Sequence, residues 1–60
     1  MIITLKRLYS QGYSPVEAQN ALARAARDAI SSGYRVTRVS TVVTDEKQRV
    51  TKTVTEVRIS

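Results

Sequence analysis

The stretch RVTKTVTEVRI, residues 49–59, decides between a helical and a β fold for this chain. Val50, Val54 and Val57 are spaced like one face of a helix. The composition is nevertheless that of a strand, because valine and threonine lose side-chain freedom in a helix and fit a pleated surface. The choice depends on what the stretch can pair with.

A second run of the same composition, residues 34–44, precedes it, and the polar residues Asp45-Glu46-Lys47-Gln48 lie between the two. This pattern predicts an antiparallel hairpin with a four-residue loop, in which Thr44 lies opposite Arg49. The register then matches apolar residues across the strands: Val43 with Val50, Val39 with Val54, Val36 with Val57 and Tyr34 with Ile59. A helix has no reason to produce this symmetry.

In that register both strands change the face that carries their apolar residues, between Val36 and Val39 and between Val54 and Val57. Opposed β-bulges would cause such a change, and so would a sheet with apolar surface on both sides, one against a helix and one against another subunit. We prefer the second, because 60 residues without Phe or Trp bury too little core alone. The preference predicts a homo-oligomer.

The best-specified element starts at Ser14. Ser14-Pro15-Val16-Glu17 is a capping box with proline at the first helical position, and Gly33 suits the residue just past a helix end. These signals predict a helix over residues 15–32. Its apolar stripe consists of Ala18, Leu22, Ala25, Ala26, Ala29 and Ile30.

The N-terminal segment allows two interpretations. Ile3 and Leu5 alternate with polar residues as in a strand, yet Ile2, Leu5, Leu8 and Tyr9 would also form a helical stripe. A strand over residues 2–8 is preferred, since a third strand supports a hairpin that is marginal alone. The predicted fold class is α+β: one domain, residues 1–60, with order β-α-β-β and a three-stranded antiparallel-type sheet on one alanine-rich helix.

Composition limits the chemistry that the chain can carry. It contains neither cysteine nor histidine, so the usual metal-ligand sets and nucleophile–base pairs are missing, and we expect no metal, no cofactor and no enzymatic activity. Ten basic residues against five acidic ones give a net charge of +5, which suits a polyanionic partner. The charged N-terminal stretch predicts a soluble, cytoplasmic protein that does not attach to a membrane.

The basic residues of the hairpin are the candidate nucleic-acid-binding set: Arg35, Arg38, Lys47, Arg49, Lys52 and Arg58. In the predicted register Arg35, Lys52 and Arg58 share the face of Val39, Val43, Val50 and Val54, whereas Arg38 and Arg49 share the face of Thr51, Thr53 and Thr55. A two-stranded ribbon is narrow enough for a major groove. The alternatives are that these charges only solvate the sheet, or that they dock on an acidic protein surface as an inhibitor or adaptor would.

Two resemblances accompany these patterns. The β-α-β-β order with the helix NALARAARDAISSG resembles the dodecin architecture, which implies an oligomeric shell and flavin binding. A dodecin-like flavin site also implies a tryptophan near the start of the second strand, where this chain has Gly33-Tyr34. The segment LYSQGYSPVEAQNALARA is similar to the helix-loop-helix of ubiquitin-associated-type domains, which implies a helix at residues 4–11.

Overall fold

A computed structural model describes all 60 residues as a small α+β domain. The elements in chain order are β1 (Ile2–Thr4), α1 (Leu5–Ser10), α2 (Pro15–Ser31), β2 (Val36–Thr44) and β3 (Val50–Ile59). Both strand pairs are antiparallel, and β3 lies between β1 and β2. The predicted fold class, the three-stranded sheet and the C-terminal hairpin are therefore confirmed.

The N-terminal segment differs from the prediction, because the strand expected over residues 2–8 ends at Thr4. The Thr4 hydroxyl accepts a hydrogen bond from the backbone N–H of Arg7 at 3.2 Å and so caps α1. Leu5 and Leu8, nearly one turn apart, are both buried in the core. The helical alternative is correct here, the order is β-α-α-β-β, and two helices rather than one pack on the sheet.

Helix α2 begins as predicted and ends one residue early, at Ser31. The Ser14 hydroxyl accepts from the Glu17 N–H at 3.3 Å, and the Ser14 N–H donates to the Glu17 carboxylate at 3.2 Å. Hydrogen bonds from the Ser14 side chain, and then from its backbone, hold the pKa of Glu17 below its ordinary value. Gly33 follows the helix with a φ of 88°, which favours glycine.

The core lies between the two helices and one end of the sheet. It consists of six buried residues: Leu5, Leu8, Ala18, Leu22, Ala26 and Val57. Ile30, predicted in the apolar stripe of α2, is instead 53% exposed. Small alanine side chains let the helix approach the sheet closely, so Leu22 and Val57, each 1% exposed, are the largest fully buried side chains.

The hairpin register differs from the predicted one by one residue in the half next to the loop, and by two residues beyond it, where Val39 lies opposite Glu56 instead of Val54. Val50 lies opposite Thr44, and Val54 lies opposite Ser40. The cause is the loop, in which Asp45 pairs with Arg49 through an N–H to carbonyl bond of 3.1 Å. The loop therefore has three residues instead of four, and a shift of one residue moves side chains to the other face.

A single bulge in β3 explains the helix-like spacing of its valines. Val39 lies opposite Glu56 while Ser40 lies opposite Val54, so Thr55 is an extra residue. With that residue inserted, Val50, Val54 and Val57 all project from the same face. The predicted change of face in β3 is therefore wrong. β2 has no extra residue, and its own valines do lie on both faces of the sheet.

The sheet has two unlike sides and two unlike halves. We call the side against which α1 and α2 pack the helix face, and the opposite side the outer face. The far half of the hairpin, residues 40–54, contains no residue that is fully buried, and we call it the arm. The arm gives the domain an elongated shape of 40 × 24 × 14 Å.

Candidate nucleic-acid interface

The outer face is a broad surface that neither helix covers. Alternation along the paired strands assigns to it eleven residues of the three strands: Ile2, Thr4, Thr37, Val39, Thr41, Val43, Thr51, Thr53, Thr55, Glu56 and Arg58. Six of them are threonines, and none is aromatic. Near the middle, the hydroxyls of Thr41 and Thr55 lie 3.4 Å apart. Hydroxyls that both donate and accept hydrogen bonds therefore dominate this surface.

Three of the six predicted site residues belong to the outer face. Arg58 lies on it directly, and Arg35 belongs to it because it exchanges two backbone hydrogen bonds with Ser60, at 3.0 and 2.9 Å, in continuation of the ladder. Arg49 follows at the arm end, opposite Asp45. Arg49 shares the outer face with the threonines, as predicted. Arg35 and Arg58 share it with Val39 and Val43, as predicted, but not with Val50 and Val54.

The other predicted strand residues, Arg38 and Lys52, lie on the helix face. Arg38 is opposite Val57 and flanks a shallow groove beside α2, together with Gln19 and Ala23. Lys52 is opposite Val42, in the arm. The predicted grouping of Arg38 with the threonines is therefore wrong, and so is the grouping of Lys52 with Arg35 and Arg58. The one-residue shift near the loop separates Arg38 from Thr51 and Thr53, and Lys52 from Arg35, whereas the extra residue Thr55 separates Lys52 from Arg58 on the same strand.

The loop at the end of the arm holds Lys47, the sixth predicted residue, next to Arg49 in an ordered turn. One carboxylate oxygen of Asp45, Oδ1, accepts from the backbone N–H groups of Lys47 at 2.9 Å and Arg49 at 2.8 Å. The N–H of Gln48 donates to the Asp45 carbonyl at 3.0 Å, and Gln48 takes a left-handed φ of 58°. The backbone positions of Lys47 and Arg49 are thus set by Asp45.

The positive charge is distributed unevenly over the molecule. At the loop, two acids and two bases cancel, and the same holds on α2. The excess of +5 is therefore carried by the strands with the adjoining Arg35 and by α1. Lys6 and Arg7 on α1 are exposed and were absent from the predicted set. The signal that could have found them is the spacing of Leu5 and Leu8, which leaves the two intervening residues on the solvent side.

An ion pair neutralises the acidic residue among the strands of the outer face. The Arg58 guanidinium donates to the Glu56 carboxylate, and both residues project from the same face two positions apart. Because the arginine side chain is 58% exposed, the pair contributes little to stability. The pair as a whole carries no net charge.

No group of three or more His, Cys, Asp or Glu side chains is placed to hold a metal ion. None of the helices has the length and apolar composition required to cross a membrane. Comparison of the chain with protein-family models, with curated proteins and with solved structures found no match.

Proposed function

We propose that this protein binds duplex nucleic acid through the outer face of its sheet and acts as a homo-oligomer. The observation that carries the proposal is the composition of that face: hydroxyl groups along its whole length, arginines towards both ends, and no covering helix. Arg35 and Arg58 stand at one end and Arg49 at the other. The net charge of +5 supports attraction to phosphates at long range.

The lack of aromatic side chains on the outer face favours a duplex over a single strand. Proteins that hold single strands stack bases on aromatic rings, each worth about 1–3 kcal/mol. Tyr9 lies on α1 and Tyr13 in the following loop. Tyr34 lines a cleft with Ala29 and Ile59 on the helix side. Threonine hydroxyls and arginines instead suit phosphates and base edges in a groove.

The loop end of the arm is open to a duplex on the outer face. No helix covers it, since Val42 and Val50, on the helix face of the arm, are 59% and 70% exposed. Lys47 and Arg49 lie at this end, where they add basic side chains that suit phosphates.

The test is a fluorescence-anisotropy titration of a duplex DNA probe at two or more salt concentrations. We expect the Arg49→Ala, Arg58→Ala double variant to bind more weakly. It should also lower the slope of log affinity against log salt by about one unit for each lost phosphate contact. A charge-matched control is Arg24→Ala with Arg27→Ala on α2, which removes two positive charges away from the outer face.

Three outcomes are informative. A loss confined to the outer-face pair supports the proposal. Equal losses from both pairs would mean that net charge alone attracts the duplex, which contradicts a specific face. No binding by the unmodified protein would remove nucleic acid from consideration, and would favour a scaffold, a small-ligand binder or an adaptor for an acidic protein surface.

A further inference from the structure

β2 forms a long edge of the sheet, and no strand pairs with it on the side away from β3. Of the two edge strands, β1 has three residues and leads directly into α1, whereas β2 has nine. β2 contains no proline, no bulged residue and only one charged residue, Arg38. Natural edge strands are normally protected by such features, because an unprotected edge pairs with another strand.

The hydrogen-bonding groups on that edge follow from the ladder. Arg35 and Asp45 both direct backbone groups towards β3, to Ser60 and Arg49 respectively. Both are odd-numbered, and β2 alternates regularly between them, so its odd-numbered residues face β3. The even-numbered residues direct their N–H and C=O groups away from the sheet: Val36, Arg38, Ser40, Val42 and Thr44.

The chain exposes more surface than a compact monomer of its mass. The accessible surface is 4839 Å², whereas a compact monomer of 6.7 kDa exposes about 3,900 Å². The excess, about 900 Å², is close to the roughly 800 Å² that each partner buries in a standard interface. The radius of gyration of 12.6 Å likewise exceeds the roughly 10 Å of a compact domain of this length.

We infer that the β2 edges of two copies pair antiparallel about a two-fold axis at Ser40, which joins two three-stranded sheets into one of six strands. This inference deepens the homo-oligomer part of the proposed function and names its interface. With Ser40 opposite its own copy, Val36 pairs with Thr44 and Arg38 with Val42. All five outward-facing residues of each strand then gain backbone partners.

Charge complementarity favours this register over the one with its axis at Thr41. With the axis at Ser40, Arg35 of one copy lies opposite Asp45 of the other, both on the outer face. The Asp45 oxygen used within the loop is Oδ1, so Oδ2 is free to meet the arginine. An axis one residue further along, at Thr41, would instead oppose Arg35 to Lys47, two like charges.

Exposed apolar side chains on the helix face also become less exposed in this arrangement. Val42 and Val50 project from that face of the arm and are 59% and 70% exposed. Ala23 lines the groove beside Arg38, so its side of α2 faces β2, and Ile30, two turns further, shares that side. The two-fold axis brings the arm of the second copy alongside this flank of the helix.

The first experiment introduces single cysteines into the cysteine-free chain and applies mild oxidation without nucleic acid. The Ser40→Cys variant should form an intermolecular disulfide, because paired Cα atoms lie about 5.5 Å apart. In the Val42→Cys control the two sulfur-bearing residues are offset along the strands by about 13 Å and should not cross-link. Stronger cross-linking of Val42→Cys, or equal cross-linking of both, would overturn the register.

The second experiment removes one outward N–H with Val42→Pro. Proline is tolerated where the lost N–H faces away from the sheet, so the β2–β3 ladder remains intact. Sedimentation should give a dimer for the unmodified protein and a monomer with a β-rich circular dichroism spectrum for the variant. The inference is overturned if the unmodified protein is a monomer, or if the variant folds and remains a dimer. If the variant unfolds, the Ser40→Cys and Val42→Cys pair still decides.

Neither experiment contains nucleic acid, so failure of duplex binding leaves both results unchanged. Conversely, Arg49 and Arg58, the residues replaced in the duplex-binding test, do not face the second copy across the β2 edge. A dimer that binds no duplex would overturn duplex binding and leave this inference standing. A monomer that binds duplex would overturn this inference and the homo-oligomer part of the proposed function, and would leave duplex binding standing.

Discussion

The covered half of the sheet and the arm are built from the same kinds of residue and differ in what surrounds them. In the covered half, Val57 is 1% exposed beneath α2, whereas Val50, on the same strand and the same face, is 70% exposed. Both halves contain valine and threonine. The stability of the domain is therefore concentrated at one end, and the arm depends on backbone pairing and on its loop.

Valine content alone therefore does not predict which strand residues are buried. A strand residue is buried only where a helix reaches it, and α2 reaches β3 near Val54 and Val57. The arm keeps its alternation of side chains without a helix to cover it. A region of that kind is available to partners, which is why both the proposed duplex site and the inferred dimer edge involve it.

We expect the largest effect when the same change, valine to alanine, is made once in the covered half and once in the arm. Val57→Ala should lower the free energy of unfolding by about 2 kcal/mol, because it removes buried methyl groups and leaves a cavity. Val50→Ala should change it by less than about 0.5 kcal/mol at low protein concentration. Urea denaturation measures both. Equal effects would mean that the arm has a core of its own.

The next effect concerns the cap of α2, which supports the covered half. Ser14→Ala should cost about 1 kcal/mol, because the first turn loses its hydroxyl acceptor. The thermal melting temperature provides the measurement, and Ser32→Ala, just past the other end of the helix, is a control without a capping box. A melting temperature equal to that of the unmodified protein would refute the role assigned to Ser14.

Asp45→Ala removes a side-chain acceptor of backbone N–H groups from the arm, as Ser14→Ala does from α2. The substitution removes two hydrogen bonds that the carboxylate accepts from backbone N–H groups. We expect faster amide hydrogen exchange in residues 40–54, with protection of Leu22 and Val57 unchanged. Loss of protection throughout the domain would show that the arm and the covered half unfold as one unit, contrary to the comparison.

The smallest effect is a pH dependence that belongs to α2. Because the pKa of folded Glu17 lies below its ordinary value, its contribution is present above the unfolded pKa. That contribution is lost as the pH falls from the ordinary value of 4.5 through the lower folded pKa. The melting temperature of the unmodified protein should fall more steeply in this range than that of Glu17→Gln. Parallel curves would contradict the role of the Ser14–Glu17 hydrogen bonds.

Local signals predicted α2 and the hairpin well. The capping box at Ser14 and the glycine at position 33 bound the helix to within one residue. The two valine- and threonine-rich runs correctly indicated a hairpin. The N-terminal helix was harder, because six residues give too few turns for periodicity to decide, and the burial of Leu5 and Leu8 depends on a contact with the distant β3.

The register could not be obtained from the pattern of apolar residues. Threonine and valine have the same shape, so matching Val50 with Thr44 costs little compared with matching it with Val43. The loop determines the register, because the hydrogen bonds of the Asp45 carboxylate favour a loop of three residues over one of four. The candidate arginines were therefore correctly assigned to the hairpin while most of their faces were not, and the bulge at Thr55 left no signal beyond the irregular valine spacing.

The strand order has a consequence for how the chain is made. β3 lies in the centre of the sheet, yet it follows both β1 and β2 along the chain, and within one copy both of them pair with it. A growing chain that emerges from the ribosome can form helical turns early, but β1 and β2 have no partner strand until β3 appears. The sheet therefore assembles after the helices have been synthesised, and β2 can pair with residues 50–54 before β1 meets residues 56–58.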